Sequence, residues 1–196
     1  MENESQRVRM ERCLKDVEEH PDRASAHSNL GLCYSVSGRV KQAEDAYLKA
    51  LDLDPTMHQA WVNLGGVRLM RWDFKGCLEA NQHAASLRDD LPIVHFNMGQ
   101  AYLYLNDPLN LVKCNERVLA LDREHAEAHY YKAVGHLALD DLGAAERHLG
   151  RAMELGFGPT QEFVKAMEKA RLEKQKPTMN LIEISGADTP ENTKED

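Results

Sequence analysis

The feature that most constrains this chain is a spacing. WVNLGG at residues 61–66 returns 34 positions earlier as HSNLGL at 27–32, and later as HFNMGQ at 95–100 and HYYKAV at 129–134. Leu53, Leu87, Leu121 and Leu155 keep the same interval, as do Ala50, Ala84, Val118 and Ala152, and Ala26, Ala60, Val94 and Ala128. One register held through four copies marks an array of stacked units, in which no unit buries its apolar face alone and each neighbour completes the core.

Each copy splits into two helical runs. In the first copy Ala26, Leu30 and Cys33, with Gly31 and Tyr34 beside them, make an apolar stripe at helical spacing. Ser37-Gly38-Arg39 breaks it, and a second stripe follows through Ala43, Ala46, Tyr47, Ala50, Leu51 and Leu53. Asp54-Pro55 ends the unit, because proline cannot continue a helix and disfavours helical geometry in the residue before it. Asp73, Asp107 and Asp141 share one repeat position just before the second helix, where a carboxylate can cap free backbone N–H groups. Pro108 then falls in the tolerated first turn. The unit is a helix-turn-helix.

These residues resemble the tetratricopeptide repeat, whose pattern is W-x2-L-G-x2-Y, then A-x3-[FY]-x2-A, then P. The first copy carries it as His27, Leu30-Gly31, Tyr34, Ala43, Tyr47, Ala50 and Pro55. The second has Trp61, Leu64-Gly65, Cys77 and Ala84, with Arg68 and Asn81 where aromatics are usual. The third keeps Met98-Gly99 and Tyr102 and diverges at Leu111, Asn115 and Val118. The fourth keeps Ala133, Ala145, Leu149 and Ala152. The resemblance implies an all-α, right-handed α-solenoid of about four repeats, at 24–57, 58–91, 92–125 and 126–159, with capping helices at both ends. Pro21 lies 34 residues before Pro55, so residues 1–23 read as a capping helix or partial repeat. Residues 160–176 place Phe163, Met167 and Ala170 on one face of an amphipathic terminal helix. Residues 177–196 carry a net charge of -4 and are expected to be disordered.

Composition narrows the function. The formal charge is -8 and there is no long basic run, which argues against nucleic-acid binding through phosphate neutralisation. No window is apolar enough for a membrane helix, and the N-terminus lacks the apolar region of a signal peptide. Cys13, Cys33, Cys77 and Cys114 are widely spread without a C-x-x-C pair, which suits a reducing compartment and hence the cytoplasm. There is no P-loop, no G-x-G-x-x-G and no G-x-S-x-G, so no enzyme and no cofactor are expected.

The resemblance also assigns the first helix of each repeat to a concave wall. Carried over, that wall holds Ser28, Asn29, Leu32 and Val36, then Val62, Asn63, Gly66 and Met70, then Phe96, Asn97, Gln100 and Tyr104, then Tyr130, Tyr131, Val134 and Ala138. It is neutral, apolar and increasingly aromatic, and suits an extended or helical apolar peptide. Asn29, Asn63 and Asn97 repeat at the common interval, and a primary amide offers both acceptor and donor to a peptide backbone. Some superhelical members of the family use such a ladder; the plainer reading is that asparagine is common at this consensus position. Tyr131 interrupts it in the fourth copy.

The family's other binding mode, a cationic clamp on a C-terminal carboxylate, is not expected. Ser28, Ile93 and Asn97 stand where its Lys and Arg would be. His125 and His129 tempt a metal reading, but His27, His95 and His129 fill the repeat's Trp position, a packing site, so no metal is expected. The expected function is a protein-interaction module that holds a peptide segment of a partner through Asn29, Asn63, Asn97, Val62, Phe96, Gln100, Tyr104, Tyr130 and Tyr131. The alternatives are a scaffold that self-assembles through the same groove and, further off, a metal-binding protein. MNLIEI at 179–184, an apolar island in the acidic tail, suggests docking into the groove of its own or a neighbouring chain.

Overall fold

The computed structural model describes residues 4–175, and the tail segment 179–184 lies outside them. Among the described residues ten helices follow in order: α1 (Glu4–Glu19), α2 (Ala24–Val36), α3 (Val40–Leu53), α4 (His58–Met70), α5 (Phe74–Leu87), α6 (Pro92–Tyr104), α7 (Pro108–Leu121), α8 (Ala126–Ala138), α9 (Leu142–Glu154) and α10 (Gln161–Gln175). Each packs on the next. The first helices of successive copies, α2, α4, α6 and α8, also touch one another, whereas the second helices have no comparable contact. Crowding one layer and spreading the other curves the array and makes the α2–α4–α6–α8 side its inner wall.

The core is a chain of clusters, as expected when each repeat packs only on its neighbours. Ala43, Tyr47 and Leu51 of α3 meet Ala60, Leu64 and Val67 of α4. At the far end Phe163 and Met167 of α10 close the fourth copy over Tyr130 and Ala133, with Ala170 packed beside them. The terminal helix thus buries the face its amphipathic pattern indicates.

Two repeat positions reveal their chemistry only in three dimensions. The Trp position holds His27, Trp61, His95 and His129, and each ring nitrogen reaches a carbonyl six residues earlier. The distances are 2.7 Å to Pro21, 2.9 Å to Pro55, 3.2 Å to Asp89 and 3.2 Å to Arg123. A carbonyl only accepts, so every ring donates an N–H. His substitutes for Trp because it keeps a donor that ties each inner helix to the preceding loop. The Tyr position of the second copy, Arg68, donates to Glu44 at 3.2 Å and to the Gly76 carbonyl at 3.2 Å, while Arg71 also pairs with Glu44. An ion network thus links the first two repeats where an aromatic would have packed.

The turns follow the capping expectation in three copies. Asp73, Asp107 and Asp141 accept from the N–H of Gly76, Asn110 and Ala144 at 2.9, 3.0 and 3.0 Å. Those hydrogen bonds hold the carboxyls of Asp107 and Asp141 below the usual range. Just before this cap each copy turns through a left-handed residue: Gly38, Trp72, Asn106 and Asp140, with φ of 71°, 62°, 56° and 61°. Gly, Asn and Asp are the residues that tolerate this conformation; a bulky Trp there is an outlier.

Candidate functional site: the inner groove

The inner helices bound a cavity of about 260 Å³ across α2, α4 and α6. Its wall is apolar through Leu32, Val62, Met70 and Ile93, with Asn63 and Asn97 as its amides. Gly66 opens it further, since a Cβ built there meets nothing within 4 Å. The arrangement offers apolar surface, two side-chain amides and no charged group on the wall.

The asparagines at the common repeat position do not share one environment. Each stands opposite the preceding outer helix, sixteen residues back: Asn29 faces Cys13, Asn63 faces Tyr47, and Asn97 faces Asn81. Asn29 is exposed, and its backbone carbonyl lies 3.8 Å from the Cys13 sulfur. Asn63 is half-buried; its Oδ1 accepts from Gln59 at 3.2 Å. It also interacts with the Tyr47 hydroxyl, whose pKa burial raises and whose contacts with Ser35 and Asn63 pull it back. Asn97 is buried at 7% exposure and donates to Asn81 Oδ1 at 3.3 Å. The amides therefore serve the seams between repeats as well as lining the groove.

The aromatic candidates divide into three settings. Phe96 and Tyr131 are half-buried and 5.8 Å apart between ring centroids, with His125 4.8 Å from Phe96. Burial raises the Tyr131 pKa. Tyr130 is buried against Phe157 and Phe163, its hydroxyl 3.4 Å from Thr160, so it belongs to the packing of the C-terminal helix. Tyr104 is exposed and stacks on Phe74 at 4.8 Å, with Trp72 edge-on to both. Gln100 is half-buried on α6.

Trp72 and Phe74 were not among the residues expected from the repeat pattern. Trp72 lies in the turn after α4 and Phe74 opens α5, at positions where the other copies place no aromatic. The available signal was a Trp standing where the other copies have Gly38, Asn106 and Asp140.

The two histidines of the metal reading have other partners. His125 caps α8, its Nδ1 accepting from Ala128 N–H at 3.3 Å, and His129 lies 3.1 Å from His148, nitrogen to nitrogen. Among the described residues no group of three or more His, Cys, Asp or Glu is placed to hold a metal ion. No helix among them is long and apolar enough to cross a membrane.

Fold and groove together define an α-solenoid of helix-turn-helix repeats with an apolar cavity on its inner helices. Residues 24–57 match the model of the tetratricopeptide repeat, and the chain contains that repeat. In sequence it is 29% identical to Protein O-mannosyl-transferase TMTC3 of Homo sapiens, a match covering 72% of this chain and 17% of that protein. The chain therefore spans under a fifth of the length of that curated relative. Among solved structures, Pseudomonas aeruginosa pilF superposes with a TM-score of 0.72 at 20% identity, over 86% of this chain and 80% of that one. MamA superposes with a TM-score of 0.71 at 18% identity, over 80% and 88%. These likenesses establish the solenoid fold.

Proposed function

We propose that the chain is a non-catalytic interaction module that holds a peptide segment of a partner protein in the inner groove. The observation that carries this reading is the cavity across α2, α4 and α6, where an apolar wall meets the amides of Asn63 and Asn97. Apolar side chains of the peptide take the wall. The free hydrogen-bonding capacity of Asn63, and of Asn29 at the array's first inner helix, takes backbone N–H and C=O groups. Phe96, Gln100, Tyr104 and Tyr131 extend the contact surface toward the C-terminal end. The transferase activity in the relative's name is said of that protein; nothing in this groove resembles a catalytic constellation. The setting is read as cytoplasmic.

The test starts from peptides selected by display on the full chain. Gly66→Leu fills the groove at a position with free space around it and should abolish binding while leaving the circular dichroism spectrum unchanged. Asn63→Ala should weaken it several-fold, and N-methylation of single peptide bonds in the ligand should reproduce that loss at the position facing Asn63. Binding that survives Gly66→Leu places the ligand elsewhere. Oligomers that form without any peptide and dissociate in Gly66→Leu favour self-assembly through the same groove.

A further inference from the structure

The 34-residue register extends backward into α1. Cys13 is the counterpart of Tyr47, Asn81 and Asn115, the residues that fill the seam in later copies. Its neighbour across the α1–α2 seam is another cysteine. Cys13 and Cys33 are both buried, and their sulfurs are 2.8 Å apart, whereas the other sulfur contacts of the protein lie at 3.4 to 4.0 Å. Both are free thiols. Two thiols at this separation need little movement to reach the roughly 2.05 Å of a disulfide bond.

Access comes from both sides. A cavity of about 540 Å³ opens on Cys13, lined by Arg9, Arg12 and Lys15 together with Asp16, Glu19 and Asn29. A smaller one of about 100 Å³ opens on Cys33, lined also by Arg9. The remaining hold of α1 on α2 is slight, with Met10 and Cys13 set against Leu30 and Cys33 and partly buried Val17 and Tyr34 beside them. Cys77 and Cys114, by contrast, are buried singly in the array.

We propose that Cys13 and Cys33 are a redox modification site, at which a low-molecular-weight disulfide of the glutathione type closes a bond that staples α1 to the first repeat. The Cys13 thiolate attacks one sulfur of the carrier disulfide, forming a mixed disulfide and expelling one carrier thiolate. Cys33, deprotonated in turn, attacks the Cys13 sulfur, forming the intramolecular bond and expelling the second carrier thiolate. Two electrons pass to the carrier and the two thiol protons end on its two thiols. The guanidinium groups of Arg9 and Arg12 suit the carboxylates of such a carrier. They also oppose, without overcoming, the burial and the Cys33 contact that push the Cys13 pKa to about 11. Exchange is therefore slow near neutrality and quickens with pH. Closure fixes α1 beside Asn29, at the first rung of the groove, a consequence that rests on the functional reading above; the chemistry does not.

The experiment treats the folded full chain with oxidised glutathione and follows free thiols, intact mass and disulfide-linked peptides. Two of the four thiols should disappear with loss of two hydrogen masses, and a single linked pair should join the Cys13 and Cys33 peptides. The rate should rise about tenfold per pH unit between pH 7 and 9. Hydrogen exchange in α1 should slow on oxidation and recover with a reductant. Cys77→Ala should behave as the parent, while Cys33→Ser should stop at the mixed disulfide on Cys13. Four thiols persisting in the native chain, carriers left on both cysteines, or a bond between chains would each overturn the proposal. Because linkage is read in the parent chain, a variant that misfolds does not blunt the test, and groove variants that fail to affect peptide binding leave it untouched.

Discussion

The seam between the second and third repeats and the seam between the third and fourth rest on the same residue and end differently. Asn81 and Asn115 both occupy the slot where the first copy has Tyr47, and both are almost wholly buried. Both donate to the carbonyl one turn back, Cys77 and Leu111, at 2.9 Å. Asn81 then accepts from Asn97 of the next inner helix, whereas Asn115 Oδ1 has no partner. The residue that would have supplied one is Tyr131, which stands where the asparagine register breaks. A buried amide in an aromatic slot is thus satisfied only when the following repeat brings a donor. Tyr47 meets the same demand by filling volume, its ring so near Gly31 that a Cβ there would lie 2.7 Å away.

That comparison ranks the expected losses. Tyr47→Ala empties the first seam and should cost about 3–5 kcal/mol in urea unfolding, the range for a buried aromatic. Asn81→Leu keeps the volume but strands the Asn97 amide, and should cost roughly 1–3 kcal/mol, with faster hydrogen exchange in α6. Asn115→Leu removes an orphan acceptor and should be neutral or stabilising by up to about 1 kcal/mol. Equal costs for the two Asn→Leu variants would break the comparison.

A second contrast sits within the fourth repeat. His148 occupies the position of Ala46, Ala80 and Cys114, and lies between His129 and His136 with ring centroids 5.4 and 5.5 Å away. Burial, then the charge of Lys132, then His129, His136 and Arg147 push its pKa down to about 4. The unfolded chain, near 6.5, binds the proton that the folded chain refuses. The contribution is therefore whole above pH 6.5 and is lost as pH falls toward 4. Lowering the pH from 7 to 5 should cost on the order of 1–2 kcal/mol after allowing for solvent. His148→Ala, which restores the residue of the first two copies, should flatten the pH profile of the thermal midpoint; an unchanged profile would show that other groups set it.

Most of the fold was legible because periodicity reports burial directly. The helix pairs and the Asp caps follow from residues that recur at one repeat interval, and the apolar face of α10 from helical spacing within that segment alone. The inner-wall residues were legible as positions and illegible as environments. A repeat register says that Asn29, Asn63 and Asn97 are equivalent, yet what each faces depends on Cys13, Tyr47 and Asn81, sixteen residues back, where the copies differ. Tyr130 shows the same limit, since its surroundings come from α10, a helix outside the register. Glu44 with Arg68 and the His129–His148 contact are pairings across helices of positions that are not equivalent in the repeat, for which no one-dimensional period exists.

The smallest expected change in stability is also the most informative. The four left-handed turn residues differ only in what they hold: Gly38, Asn106 and Asp140 fit the conformation, and Trp72 does not. Holding a bulky residue there costs roughly 1–2 kcal/mol, and its edge contacts with Phe74 and Tyr104 return about 0.5–1.5 kcal/mol. Trp72 is 68% exposed, so little apolar burial adds to that return. Trp72→Asn should therefore shift the unfolding midpoint by less than about 1 kcal/mol, far below the 3–5 kcal/mol of a buried Trp. Partner binding should respond in the opposite proportion, falling several-fold, because an exposed aromatic packed against Tyr104, which the functional reading places in the contact surface, is the kind of residue that dominates peptide interfaces. A variant that loses several kcal/mol of stability while binding its peptide normally would make Trp72 a fold residue and limit the binding surface to the inner helices.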